Sequence, residues 1–209
     1  MKPALLCIDL QTLLATRGQG IFADGGKPHW SQEEQDEFFA RLETLVLPNV
    51  RRLQAVFRDK GLEVLHIRTR AKTSDGRDRT FWHKRAGLLA TPGSPEAEFL
   101  ASVVPLGDEL VINKTGIGPF GNSNLPELLI QLNLSQLYCC GVHTDGSIES
   151  TIRAGADFGY CPILVEDACA AAGEMRHSLC VGRLQNLSGE MTTTDKLVED
   201  LQQHLRSVS

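Results

Sequence analysis

The stretch Leu137-Tyr-Cys-Cys-Gly-Val-His-Thr-Asp-Gly-Ser-Ile-Glu-Ser-Thr-Ile-Arg153 consists of an apolar run, a short polar turn and the start of a helical pattern. The apolar run has the length and composition of a buried strand. The turn places the Ser147 side chain at the N-terminus of a helix, where the helix dipole favours an anionic group. The stretch therefore predicts a strand–turn–helix unit with a candidate chemical group at its turn.

Short apolar runs alternate with longer helical patterns along the chain, which is typical of a parallel sheet covered by helices on both faces. The predicted strands span residues 4–10, 63–68, 109–113, 136–142, 162–166 and 190–192. The predicted helices span residues 31–60, 124–132, 147–158, 174–187 and 194–206. Ser31 and Glu34 form a capping-box pattern at the first helix, and Pro48 is expected to kink or divide it. The fold class is therefore α/β: a three-layer α/β/α sandwich with a mostly parallel, six-stranded, Rossmann-like sheet.

Composition narrows the function classes. The 209 residues favour a single domain over residues 1–209, and the net charge of −5 comes with no basic stripe. We therefore expect no nucleic-acid partner. No apolar stretch approaches the length of a membrane span, and the first apolar run meets Asp9 too early for a signal peptide. We expect a cytoplasmic protein without membrane contact.

Cysteine and glycine motifs indicate no bound cofactor. The six cysteines include no Cys-x-x-Cys pair and lie mostly in apolar runs, so we expect buried thiols and no disulfide. No Cys/His pair has the spacing of a zinc site, and we expect no metal. Gly116-Ile-Gly-Pro-Phe-Gly121 matches the dinucleotide pattern literally, but it follows the third strand and no helix opens directly after it. We predict a loop that shapes a pocket around Phe120.

Chemical groups occur at the ends of three predicted strands. Ligands of open α/β sheets bind outside the carboxyl ends of the strands. Asp9 ends the first strand, Lys114 follows the third, and Ser147 follows the fourth. An acid, a cation and a nucleophile position are therefore expected to converge.

These residues lie in motifs that resemble those of a known family, the isochorismatase-like cysteine hydrolases, which include amidases acting on carbamoyl and ureido compounds. The resemblance covers nearly the whole chain. It is carried by Ala4-Leu-Leu-Cys-Ile-Asp-Leu-Gln11, Pro92-Gly-Ser-Pro-Glu-Ala-Glu98, Val111-Ile-Asn-Lys114 with Phe120, residues 141–153, and Val165-Glu-Asp-Ala-Cys-Ala170.

The resemblance implies a catalytic triad of Asp9, Lys114 and position 147, which is cysteine in the family. There the thiolate attacks an amide carbonyl, the aspartate shuttles a proton to the leaving amine, and the lysine supplies positive charge. The resemblance also implies a cis peptide between Val142 and His143, and an oxyanion hole made of the backbone amides of His143 and Ser147. A homodimer or homotetramer is implied as well.

Position 147 departs from the family because it carries a hydroxyl where a thiol is expected. A thiol beside a lysine at a helix N-terminus ionises readily, whereas a serine needs a strong general base, and Asp9 paired with Lys114 is a poor one. Three interpretations stay open. Ser147 is an introduced replacement of cysteine, or it is natural in a weakly active or non-catalytic member, or it marks chemistry without a covalent nucleophile.

The expected function is hydrolysis of a small amide or ureido C–N bond, impaired by Ser147. One alternative is vinyl-ether hydrolysis of the isochorismatase type, in which Asp9 protonates the substrate and position 147 is dispensable. The other is a non-catalytic ligand-binding or scaffold protein that has kept the pocket. Gain of amidase activity in Ser147→Cys separates the first from the other two.

Two polar loops, residues 17–30 and 69–95, are candidates for lids or binding loops because long loops in compact α/β domains are usually functional. The second loop lacks the Asp-x-His and second His of metal-dependent nicotinamidases, which share this fold. Its basic side chains could instead hold a carboxylate or ureido oxygen, or they could be solvated or form a subunit contact. Asp145 is expected to stabilise the nucleophile turn. The His143 ring is expected to face solvent, with a contact to substrate as the alternative. The candidate substrate-binding residues are Phe22, Trp30, Arg79, Trp82, His83, Lys84 and Phe120.

Overall fold

Six parallel strands form the centre of the molecule, which we describe from a computed structural model covering residues 1–26, 30–187 and 190–203. The strand order is β3-β2-β1-β4-β5-β6, and every pair of neighbours is parallel. The α/β class and the six-stranded sheet are thus confirmed. The strands are β1 Pro3–Ile8, β2 Glu63–Thr69, β3 Val111–Lys114, β4 Gln136–Val142, β5 Cys161–Ala170 and β6 Glu190–Thr192.

Strand β5 is longer than the apolar run that predicted it. The run ends at the polar pair Glu166-Asp167, yet the backbone continues to pair with β4 as far as Ala170. Asp167 lies inside this strand rather than in a loop after it. Its carboxylate accepts hydrogen bonds from the backbone N–H and the hydroxyl of Thr194, at 2.8 and 2.9 Å.

Helices cover both faces of the sheet. They are α1 Thr12–Ala15, α2 Gln32–Arg41, α3 Leu47–Asp59, α4 Phe81–Arg85, α5 Leu125–Gln131, α6 Glu149–Asp157, α7 Glu174–Leu187 and α8 Thr194–Gln203. The predicted end of the last helix, residues 204–206, lies outside the described residues. No described helix is long and apolar enough to cross a membrane.

The predicted helix over residues 31–60 is divided, as Pro48 indicated. A π-helical segment, Leu42–Val46, joins α2 to α3, and the Leu47 N–H donates to the Leu42 carbonyl. Pro48 follows at the start of α3, where its missing N–H costs least. The predicted capping box is also present, because Ser31 and Glu34 exchange side-chain and backbone hydrogen bonds of 3.1 and 2.8 Å.

Side chains of β1 alternate between two apolar cores. Leu5 packs with α2 and α3 on one face, and Leu6 packs with α5 and α6 on the other. Burying a side chain of this size contributes about 1.5–3 kcal/mol, so both faces stabilise the central strand. Neighbouring strands are thereby held in a register that brings their carboxyl ends together.

The carboxyl ends of β1 and β4 approach each other unusually closely. Gly141 pairs with Ile8 and has a φ of 120°, and a Cβ atom at this position would lie 2.0 Å from the Ile8 carbonyl oxygen. Only glycine allows this approach. Asp9 directly follows β1. It has a φ of 55° and is fully buried beside the end of β4.

Candidate active site

Asp9, Lys114 and Ser147 meet at the carboxyl edge of the sheet. Lys114 Nζ lies 2.8 Å from Asp9 Oδ2, and Ser147 Oγ lies 2.5 Å from the same oxygen. Lys114 Nζ also lies 3.2 Å from Ser147 Oγ, so the three groups form a closed triangle. Ser147 is 8% exposed and the other two are almost fully buried. The hydroxyl therefore donates to the carboxylate and accepts from the ammonium group.

Thr69 is a fourth member of this cluster. It ends β2 and pairs with Lys114 across the β2–β3 ladder. Its Oγ1 accepts a 2.8 Å hydrogen bond from Lys114 Nζ and donates a 3.2 Å bond to Asp9 Oδ1. Lys114 also donates to the Gly116 carbonyl at 3.2 Å. The buried ammonium group is thus surrounded by acceptors, which limits the cost of burying its charge.

Gln11 holds Thr69 in place. Its side-chain oxygen accepts from the Thr69 N–H at 2.6 Å, and its amide nitrogen donates to the Thr69 carbonyl at 2.9 Å. The same nitrogen donates to the Glu96 carbonyl at 2.8 Å. Gln11 is fully buried, so these bonds fix the end of β2 against the chain that follows β1.

The turn that carries Ser147 is a π-helical segment, Thr144–Ile148, that leads into α6. The Val142–His143 peptide bond before it is cis, as the resemblance implies. The Ser147 carbonyl accepts a 2.6 Å hydrogen bond from the Thr151 hydroxyl. Asp145 forms an ion pair with Arg176 of α7 at 2.7 Å, so it links the turn to another helix.

A chain of buried hydrogen bonds supports this turn. Arg41 lies 2.9 Å from His177 Nε2, and because arginine can only donate, His177 Nε2 accepts. His177 Nδ1 then donates to Thr144 Oγ1 at 2.9 Å. Burial, followed by the nearby Arg41 charge, lowers the His177 pKa to about 4. A neutral imidazole of fixed tautomer therefore positions Thr144.

The His143 ring is half-buried in an aromatic cluster at the cavity wall, which corrects the expectation of a solvent-facing ring. It packs against Trp30 and Phe38, with ring centroids 4.9 and 5.0 Å away. Its Nε2 lies 3.0 Å from the Leu14 carbonyl, and burial lowers the pKa of the ring to about 4. The ring is therefore neutral and part of an aromatic wall.

A cavity of about 490 Å³ opens beside Ser147. Of the predicted substrate-binding residues, Trp30, Trp82 and His83 line it. Burial, followed by the Lys114 charge, lowers the His83 pKa to about 4. The remaining lining residues are Leu14, Ile21, Thr69, Arg85, Ala86, Leu88, Lys114, Ile117, His143, Asp145, Gly146, Ser147 and Arg176.

Four predicted substrate-binding residues do not line this cavity. Phe22 is buried in the core against Trp30 and Phe38. Phe120 packs against Phe158 and Tyr160 in the opposite core, because the glycine-rich loop directs it under α6 rather than towards the site.

Arg79 and Lys84 serve the 69–95 loop itself. Arg79 donates to the Gly76 and Leu88 carbonyls at 2.9 and 2.7 Å, and Lys84 donates to the Arg77 carbonyl at 2.6 Å. Their charges are used to close the loop, so neither is available at the cavity wall.

Gln11, Thr69 and Arg176 were not singled out from the sequence. Gln11 lies within the quoted motif around Asp9, and Thr69 ends a strand, so strand-end position was the available signal for both. Arg176 is an ordinary helix residue, and no sequence pattern distinguishes it. Among the described residues, no group of three or more His, Cys, Asp or Glu side chains could hold a metal ion.

Residues 3–196 match the family model described as the isochorismatase domain. Because this match covers most of the chain, the chain belongs to the isochorismatase family.

Curated relatives are distant. The isochorismatase family protein YddQ of Bacillus subtilis is 31% identical over 122 residues, which cover 58% of this chain and 62% of that protein. N-carbamoylsarcosine amidase from Arthrobacter sp is 25% identical, with 82% of this chain and 67% of that protein covered. Ureidoacrylate amidohydrolase RutB of Variovorax paradoxus is 24% identical, with 93% and 79% covered. The match to YddQ thus spans less than two thirds of that relative's length.

Solved structures share the fold. A cysteine hydrolase from Pseudomonas syringae pv. phaseolicola superposes with a TM-score of 0.79 at 19% identity, covering 97% of this chain and 93% of that chain. An isochorismatase family protein from Desulfovibrio vulgaris gives a TM-score of 0.78 at 22% identity, with 96% and 98% covered.

Proposed function

We propose that this site is built to hydrolyse a small amide or ureido C–N bond through a nucleophile at position 147, and that Ser147 impairs it. The observation that carries the proposal is the triangle of Asp9, Lys114 and Ser147 at the wall of a cavity. The names of the relatives N-carbamoylsarcosine amidase and ureidoacrylate amidohydrolase support the substrate class.

In the proposed reaction, the group at position 147 attacks the carbonyl carbon and its proton passes to Asp9. Asp9 gives this proton to the leaving amine as the C–N bond breaks, and water then hydrolyses the acyl-enzyme. Lys114 keeps its proton and supplies positive charge beside both groups. We assign the oxyanion hole to the backbone N–H groups of His143 and Ser147.

The same geometry supports the proposal that serine is a poor nucleophile here. Asp9 Oδ2 is shared between the Ser147 hydroxyl and the Lys114 ammonium group, so its charge is already compensated. A thiol ionises several pH units more easily than a hydroxyl and gains from the adjacent lysine. We therefore expect a cysteine at this position to be active where serine is not.

The test is Ser147→Cys assayed with N-carbamoylsarcosine, ureidoacrylate, a simple carboxamide and isochorismate. Turnover of an amide or ureido compound in Ser147→Cys, with at least about a hundredfold less in the serine form, supports the proposal. Ser150→Cys is the matched control, because it adds a thiol three residues further along and outside the cavity lining.

Other outcomes favour the alternatives. Isochorismate turnover that is insensitive to residue 147 but lost in Asp9→Ala indicates vinyl-ether hydrolysis. Binding of these compounds without turnover in either form indicates a non-catalytic protein. Mass spectrometry of Ser147→Cys mixed with substrate gives an independent check, since an acyl-enzyme adds the acyl mass to the peptide containing residue 147.

We also infer from the family resemblance that the protein is a cytoplasmic homodimer or homotetramer. Light scattering during size-exclusion chromatography tests the oligomer, with a single 22.9 kDa species as the contrary result.

A further inference from the structure

His83 lies on the wall of the cavity and is only 2% exposed. It belongs to the short helix α4, whose first turn is capped by the Thr80 hydroxyl. The electrostatic influence of Lys114 and Asp9 reaches its ring, and it lines the same cavity as Ser147. The imidazole therefore lines the same cavity as the proposed reacting groups.

Neither ring nitrogen of His83 has a hydrogen-bond partner among the described residues. Its Nδ1 is completely buried and unpaired. The other described histidines differ, because His66, His143 and His177 each bond through at least one ring nitrogen. Buried polar groups are nearly always hydrogen-bonded, since leaving them unpaired is costly. An imidazole without a hydrogen-bond partner at a cavity wall indicates that a bound ligand supplies the partner.

The surroundings of His83 favour an uncharged partner. Its lowered pKa keeps the imidazole neutral near pH 7, so the ring offers one donor and one acceptor. The aromatic and apolar side chains of Trp30, Trp82 and Leu88 line the same cavity. Amide and ureido groups carry both an N–H donor and a carbonyl acceptor, which complement the acceptor and the donor of the neutral imidazole.

We propose that His83 is a substrate-contacting specificity residue that hydrogen-bonds an uncharged amide or ureido group of the substrate. This inference rests on the proposed function of the same cavity, and it adds a residue outside the Asp9–Lys114–Ser147 cluster. Because nothing in the described protein uses the ring nitrogens, replacing them affects the ligand and not the fold.

The test uses His83→Phe and His83→Gln in the Ser147→Cys background, with phenylurea as an uncharged ureido probe. His83→Phe removes both ring nitrogens. His83→Gln keeps a hydrogen-bond donor and an acceptor near the position of Nε2. We expect kcat/KM to fall about tenfold or more in His83→Phe and to recover largely in His83→Gln. The melting temperature should stay equal or rise in His83→Phe, because an unpaired buried polar group is removed.

His66→Phe is the matched control. His66 is equally buried but bonds Glu109 at 2.9 Å and lies outside the cavity lining, so its replacement should lower the melting temperature and leave kcat/KM unchanged. A fall in melting temperature for His83→Phe with unchanged kcat/KM would overturn the inference and make His83 a structural residue.

Isothermal titration calorimetry of phenylurea with the protein that carries serine at position 147 distinguishes this inference from the proposed function. Binding that weakens about tenfold in His83→Phe, without turnover in any Ser147→Cys protein, keeps the role of His83 and overturns the hydrolytic proposal. Turnover and binding that are both insensitive to His83 keep the hydrolytic proposal and overturn the role of His83.

Discussion

Thr69 Oγ1 lies 2.8 Å from Lys114 Nζ, and the two residues are direct partners in the β2–β3 ladder. The hydroxyl also contacts Asp9, so a single side chain orients both charged groups of the candidate site. The ladder register sets this contact, because a shift of one residue would turn Thr69 to the other face of the sheet.

Replacing Thr69 by valine should therefore damage the site more than the fold. In the Ser147→Cys background, Thr69→Val should lower kcat/KM by about tenfold, because Lys114 loses a buried acceptor with almost no change in side-chain volume. Steady-state kinetics with the best amide or ureido substrate measures this. Thr69→Ser keeps the hydroxyl and is the control, and equal activity of the valine and serine variants would contradict the prediction.

Gln11 should be important for stability as well as for the site. Gln11→Ala leaves the backbone N–H and carbonyl of Thr69 unpaired in the core, so we expect a loss of about 2–4 kcal/mol in the free energy of unfolding. Urea denaturation measures the loss. Gln32→Ala removes an exposed amide that, among the described residues, donates to Asp36 alone, and it should change stability by less than about 0.5 kcal/mol.

The buried histidines predict a loss of stability on mild acidification. His83, His143 and His177 have pKa values lowered to about 4, and an unfolded histidine titrates near 6.5. Between these values the unfolded chain binds protons that the native protein does not, so the free energy of unfolding falls as the pH drops from about 6.5 to 4. Glu109, whose pKa is lowered to about 2, adds its own loss mainly below about pH 4.5.

Denaturant unfolding at intervals between pH 4 and 7 tests this slope. His177→Gln should reduce the loss over this range by about 1–3 kcal/mol, at about 1.4 kcal/mol for each unit of pKa difference. The two proteins are compared by how steeply the free energy of unfolding changes with pH, because the substitution also changes the contact with Thr144 and thus the absolute stability. Identical slopes in the two proteins would show that His177 is not held neutral by the fold.

Gly141 should tolerate no side chain. A methyl group there would meet the Ile8 carbonyl oxygen next to Asp9, so Gly141→Ala should destabilise the protein by about 3 kcal/mol or more and displace the acid. Thermal unfolding and activity in the Ser147→Cys background measure both effects. Gly121→Ala, at a position with no atom within 4 Å of the added carbon, should have little effect on either measurement.

The fold class and the positions of the three strand-end groups follow from the amino-acid sequence alone. Hydrophobic periodicity reports burial along one element at a time, and the parallel order then brings the ends of β1, β3 and β4 to the same edge. This is why Asp9, Lys114 and Ser147 could be placed together before their distances were known. The serine at position 147, where the family has cysteine, is likewise evident from the sequence because it concerns only the identity of one residue.

Which side chains of the predicted loops reach the cavity depends on packing between distant parts of the chain. Phe120 and Trp82 are both aromatic residues in segments predicted as loops, yet Phe120 packs under α6, whereas Trp82 lies in helix α4 and lines the cavity. Side-chain direction in a loop depends on contacts with segments far away in the chain, and no local period records it. The same reason hid the Gln11–Thr69 bonds, which join residues 58 positions apart, and the unpaired ring of His83.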